Sequence, residues 1–201
     1  FVEQLKLWGF HVVHADSRQC LQAVADVATA AERATRADAQ AIADYVQGAT
    51  AFYMGDHKQA LVSLPKALDF FLHRSERQST ASPLYNGWVV QSWSLAIAGR
   101  IQEAWSAIDA ALEFARVSED PFALAQSLDH KAVIARELGV APEVVAGIAA
   151  EVVAVEHDHK FRSHYSSVMF LSWHKALLGD PDAAVNIRQL IERMRKIGTR
   201  Q

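Results

Sequence analysis

The chain has 201 residues, with 20 lysines and arginines against 23 aspartates and glutamates. A net charge of −3 gives no electrostatic pull toward nucleic acid or anionic lipid, and a composition 51% hydrophobic and 21% charged supports a packed core rather than disorder. One cysteine, Cys20, excludes an internal disulfide framework and a four-cysteine zinc site, and it fits a reducing cytoplasm.

Good helix formers dominate the composition, and apolar residues recur at three- and four-residue spacing. The pattern divides into five helical hairpins. The first covers about 1–36 and turns at Ala15 within His14-Ala15-Asp16, with Cys20 and Val24 on its inner face. The second, about 38–74, turns at Gly55-Asp56. Gly48 and Ala60 are its small contact residues, and Pro65 is expected to kink its second helix by removing the bond to the Leu61 carbonyl. The third, about 82–118, turns at Gly99, with Ser92 before and Ala104, Ile108, Ala111 and Leu112 after. The fourth, about 120–157, turns at Gly139 between Ala132 and Val144, and the fifth, about 161–198, turns at Gly179-Asp180 between Ser172 and Ala184.

The turn glycines are 44, 40 and 40 residues apart. Glycine there takes the left-handed conformation that ends a helix, and Asp16, Asp56 and Asp180 follow as caps for the next one. Pro83, Pro121, Pro142 and Pro181 follow Ser82, Asp120, Ala141 and Asp180, and each is placed to open a helix. Small residues seven before and five after each turn let two helices approach closely. Residues nine after it (Val24, Leu64, Ile108, Ile148) fill the space beside them, and Arg188 breaks that series.

Gly48, Gly55-Asp56, Ala60 and Ala67, then Trp88, Ser92, Gly99, Ala104 and Ala111, then Ser172, Gly179-Asp180 and Ala184 resemble tetratricopeptide repeats. The long divergent spacing, with Tyr53-Met54-Gly55-Asp56, Ala96-Ile97-Ala98-Gly99-Arg100 and Pro121-Phe122-Ala123-Leu124-Ala125, is similar to the C-terminal repeat array of bacterial signalling ATPases. This resemblance implies an all-α, TPR-like α-solenoid with a right-handed superhelix. It also implies attachment to an ATPase, nucleotide-cyclase or DNA-binding module. The chain starts Phe-Val-Glu, without initiator methionine or signal peptide, as expected of one repeat domain cut from a longer cytoplasmic bacterial protein. It holds no phosphate-binding Gly-x-x-x-x-Gly-Lys motif, so nucleotide chemistry is not expected here.

Three groups suggest chemistry, and each has a plainer reading. His157, His159 and His164 with Asp158 have metal-like spacing but fall in a connection between hairpins. Ser63-Leu-Pro-Lys66 and Ser172-Trp-His-Lys175 match Ser-x-x-Lys without the other elements of that hydrolase class. Cys20 occupies a small packing position. We therefore expect no enzyme, cofactor or metal. First helices line the inner groove of such arrays, which places Tyr45, Phe52, Trp93, Asp129, Arg136 and Trp173 on a concave binding stripe, with Met169 beside them and Asn86 and Gln126 near one rim. The expected function is a protein- or peptide-binding scaffold or sensor in signal transduction or transcriptional regulation. A small-molecule inducer in the same groove is the alternative, and a metal-dependent enzyme built on the histidines a weaker one. No direct contact with nucleic acid or membrane is expected.

Overall fold

The computed structural model describes residues 1–13, 16–72, 81–161 and 165–196. Ten helices and no strand occur among them: α1 (Val2–Val13), α2 (Ser17–Glu32), α3 (Ala39–Tyr53), α4 (His57–Leu72), α5 (Ala81–Ile97), α6 (Ile101–Val117), α7 (Pro121–Glu137), α8 (Pro142–Asp158), α9 (Tyr165–Leu177) and α10 (Ala183–Lys196). The fold is an all-α, TPR-like array of helical hairpins. The chain forms two compact units, Phe1–Ala111 and Leu112–Gln201.

The turns form for the reason the sequence suggests. Gly55, Gly99, Gly139 and Gly179 have φ of 80°, 74°, 72° and 86°. The residue after each glycine donates back to a carbonyl five positions earlier: Asp56 to Ala51, Arg100 to Leu95, Val140 to Ala135 and Asp180 to Lys175, at 2.8–3.1 Å. These bonds satisfy carbonyls that the helix end leaves open. Asp56 Oδ1 then accepts from the Gln59 amide at 2.9 Å and Asp16 Oδ1 from the Gln19 amide at 3.1 Å, capping α4 and α2. Asp120 caps α7 by accepting from the amides of Phe122 and Ala123, and Pro121 opens that helix. The expected first turn at Ala15 lies outside the described residues.

Two connections between hairpins, after α6 and after α8, use the same motif without glycine. Glu119 and Lys160 hold φ of 52° and 58°, and the following Asp120 and Phe161 donate back to Ala115 and Glu156. An L-residue in this region is strained by roughly 1–2 kcal/mol, part of which glycine gives back through its freer unfolded chain. Glu119→Gly should therefore raise stability by about 0.5–1 kcal/mol in urea denaturation. A lower midpoint would show that the Glu119 side chain itself stabilises this turn.

In the first unit the small residues permit close helix contact. A Cβ on Gly48 would lie 2.7 Å from Leu64 Cγ, and one on Gly87 would lie 2.9 Å from Leu68 Cδ2. Leu95 packs with Ala104 and Ala107, flanked by Leu61 and Ala96. Trp8 stands where the other hairpins carry small residues. It is buried, and its indole N–H donates to Thr50 Oγ1 at 2.8 Å. The second unit centres on Leu112, Ala125, Leu128 and Val152, with Leu124, Ile148, Val155 and Phe161 against them.

Two expected contact positions are displaced. Val144 and Ala184 are exposed, and the buried residues are Val145 and Ala183. Helix α4 begins two residues after its glycine, whereas α8 begins three after, so its inner face moves along by one. Helix α10 begins four after Gly179, and Pro181 lies in the turn before it instead of in its first turn. Pro83 is the third residue of α5, still within the turn whose amides have no helical partner. Helix α4 continues through the exposed Pro65 to Leu72.

Candidate partner-binding faces

In the first unit, Tyr45 and Phe52 come from α3 and Trp93 from α5. Tyr45 is 7% exposed, with its ring edge-on to Trp8 at 5.8 Å. Its hydroxyl accepts from Asn86 Nδ2 at 2.6 Å. Burial pushes this hydroxyl far above the ordinary tyrosine range, and the Asn86 bond opposes the shift. Asn86 thus ties α5 to the buried Tyr45 hydroxyl of α3, a role its expected rim position did not reveal.

Phe52 and Trp93 are both half-buried and meet edge to face, centroids 6.2 Å apart at 76°. The Phe52 ring also meets His57 at 5.7 Å, and His57 Nδ1 lies 3.3 Å from Ser94 Oγ. The result is an aromatic patch built by adjacent first helices and open on one side. Edge-to-face pairs add about 0.5–1.5 kcal/mol beyond area burial, so the two rings fix each other's orientation.

In the second unit, Asp129 on α7 is 6% exposed. Its two carboxylate oxygens accept from Ser166 Oγ at 2.7 and 2.6 Å, and Oδ1 also accepts from Ser167 Oγ. Both serines lie in the first turn of α9, where the helix dipole favours an anion. Asp129 therefore ties successive first helices together. Arg136 is exposed at the end of α7, and its guanidinium donates to the neighbouring Glu137. Trp173 and Met169 are half-buried on α9, and Gln126 is half-buried on α7.

The chemistry-like motifs are placed as follows. His157 and His159 are exposed at the end of α8, with His157 Nδ1 3.4 Å from Asp158 Oδ1, and His164 lies outside the described residues. No group of three metal-ligating side chains converges among the described residues. Ser63 is buried between Gln59 and Gln47, and Ser172 is buried on α9. Cys20 is 2% exposed, and burial, then the nearby Asp16 charge, push its thiol up. No described helix is long and apolar enough to cross a membrane.

Two solved structures share this arrangement of helices. The fold is similar to that of Rap proteins. The apo form of RapI matches with a TM-score of 0.73 at 13% identity, over 94% of this chain and 68% of that one. The Rap conjugation gene regulator of plasmid pLS20, in complex with the Phr* peptide, matches with a TM-score of 0.76 at 14% identity. That match covers 98% of this chain, which spans 53% of the regulator. No protein-family model and no curated protein sequence matches. At these identities the likeness establishes the fold.

Proposed function

We propose that this chain is a non-catalytic interaction module that binds a peptide, or a peptide-like segment of a partner protein, on the first helices of its hairpins. The observation that carries this reading is the half-exposed Phe52–Trp93 pair. Aromatic side chains held rigidly and left partly open are the residue type that most often supplies binding energy. Two similarities support it: the pLS20 regulator, part of which has a similar fold, forms a complex with the Phr* peptide, and the repeat motifs resemble sensor arrays of signalling proteins. In the second unit Trp173 and Arg136 are the corresponding contacts. Tyr45 and Asp129 hold the helices that present them. The module belongs to a cytoplasmic bacterial regulator and transmits partner binding to an ATPase, cyclase or DNA-binding module.

Trp93→Ala and Arg136→Ala test this reading. Loss of a true anchor costs about 2 kcal/mol or more, so affinity for a partner captured by the wild-type protein should fall about thirtyfold with circular dichroism unchanged. Normal binding by both variants, with easier unfolding, would make these side chains structural. Saturable quenching of tryptophan fluorescence by a metabolite, lost in Trp93→Ala, would transfer the site to a small molecule.

A further inference from the structure

Helix α9 is bordered by two clefts in the second unit. One, of about 320 Å³, opens between α9 and α10 and is lined by Val168, Leu171, Ser172, Lys175, Leu190 and Arg193 among others. The other, of about 370 Å³, opens between α8 and α9 and shares Val168 and Leu171 as its floor. In the preceding hairpin, the positions eleven before and thirteen after the turn are Leu128 and Val152, both buried in the core. In the last hairpin the smaller, half-buried Val168 stands in place of Leu128, and Leu190, seven residues after the buried Ala183 as Val152 is after Val145, takes the place of Val152.

The walls of the α9–α10 cleft are basic. Neither the Lys175 ammonium nor the Arg193 guanidinium makes a hydrogen bond or ion pair with a described residue. Helix α10 carries Arg188, Arg193, Arg195 and Lys196 against the single acid Glu192, in a chain whose net charge is −3. Buried Glu156 and exposed His157 line the α8–α9 cleft. The groove is therefore apolar along its floor and positive at its α10 end.

We propose that this groove docks an amphipathic helix from a partner protein, with an apolar stripe on one face and glutamates along its flanks. The stripe lies over Val168, Leu171 and Leu190, and the glutamates meet Lys175 and Arg193. An apolar groove selects the helix by its i, i+3, i+4, i+7 spacing. The unpaired cations select its charge and penalise a basic competitor. This proposal rests on residues of the second unit alone and not on the aromatic patch.

The test uses a fluorescein-labelled synthetic helix with leucine at that spacing and glutamate on both flanks. A second peptide has lysine in place of every glutamate. By fluorescence anisotropy the glutamate peptide should bind, more weakly as salt rises, and at least tenfold more tightly than the lysine peptide. Lys175→Glu combined with Arg193→Glu should reverse that preference while leaving helicity intact, because both side chains are exposed. No binding, equal binding of the two peptides, or unchanged preference in the double variant would overturn the proposal. So would concentration-dependent dimerisation abolished by the double variant, which would assign the groove to a second copy of this chain.

Discussion

Replacing Gly48 by leucine should destabilise the protein by about 3 kcal/mol or more, and Gly48→Ala by about 1–2 kcal/mol. The added Cβ would lie 2.7 Å from Leu64 Cγ and 3.1 Å from the Leu64 backbone nitrogen. A side chain can rotate away, but backbone cannot, so α3 and α4 must separate. Leu64 is fully buried, which leaves it little room to yield. Alanine regains up to about 1 kcal/mol of helix propensity relative to glycine, which offsets part of the overpacking. Gly147 supplies the internal comparison. It lies on the exposed face of α8, and a Cβ there would meet nothing within 4 Å. Gly147→Ala should therefore stabilise by about 0.5–1 kcal/mol. Equal effects at the two glycines would refute close packing as the reason for Gly48.

Asp129→Ala should cost about 2–3 kcal/mol of folding stability. Hydrogen bonds to a charged group are worth about 1.5–3 kcal/mol, and buried Ser167 would lose its acceptor. Asp129→Asn keeps one carbonyl oxygen toward the serines and should cost less, about 1 kcal/mol. Combined with Ser166→Ala and Ser167→Ala, the loss from Asp129→Ala should shrink, because the partners are already gone. If Asp129→Ala leaves the denaturation midpoint unchanged and weakens partner binding instead, the carboxylate faces a ligand and the link between α7 and α9 is not its role.

The hairpins were legible because their turns use backbone chemistry that few residues supply. Glycine at positive φ marks the end of a helix at all four glycine turns, and at Gly55 the following Asp56 marks the start of the next. Glu119 and Lys160 gave no such signal, since neither residue type announces a left-handed turn. Val144 was misplaced because counting from the glycine ignores how many residues the turn holds before α8 begins, and Ala184 because α10 starts at the buried Ala183 itself, after a turn that holds Pro181. Within the site, the Phe52–Trp93 contact follows from stacking equivalent helices one repeat apart. The partners of Asp129 could not be read in the same way. Ser166 and Ser167 lie 37 and 38 residues downstream, and a polar residue on a first helix looks the same in sequence whether it faces a groove or a neighbouring helix.

The most direct test of the interaction reading is photo-crosslinking from position 52. The photoreactive residue benzoylphenylalanine, placed at Phe52 in cells that make the protein natively, keeps an aromatic ring in the half-open patch. Irradiation should yield a covalent adduct with a peptide or protein, identified by mass spectrometry. Trp93→Ala should suppress that adduct without loss of helicity. No polypeptide adduct at position 52, with a small metabolite carried by the purified protein in native mass spectrometry, would contradict a peptide-binding module.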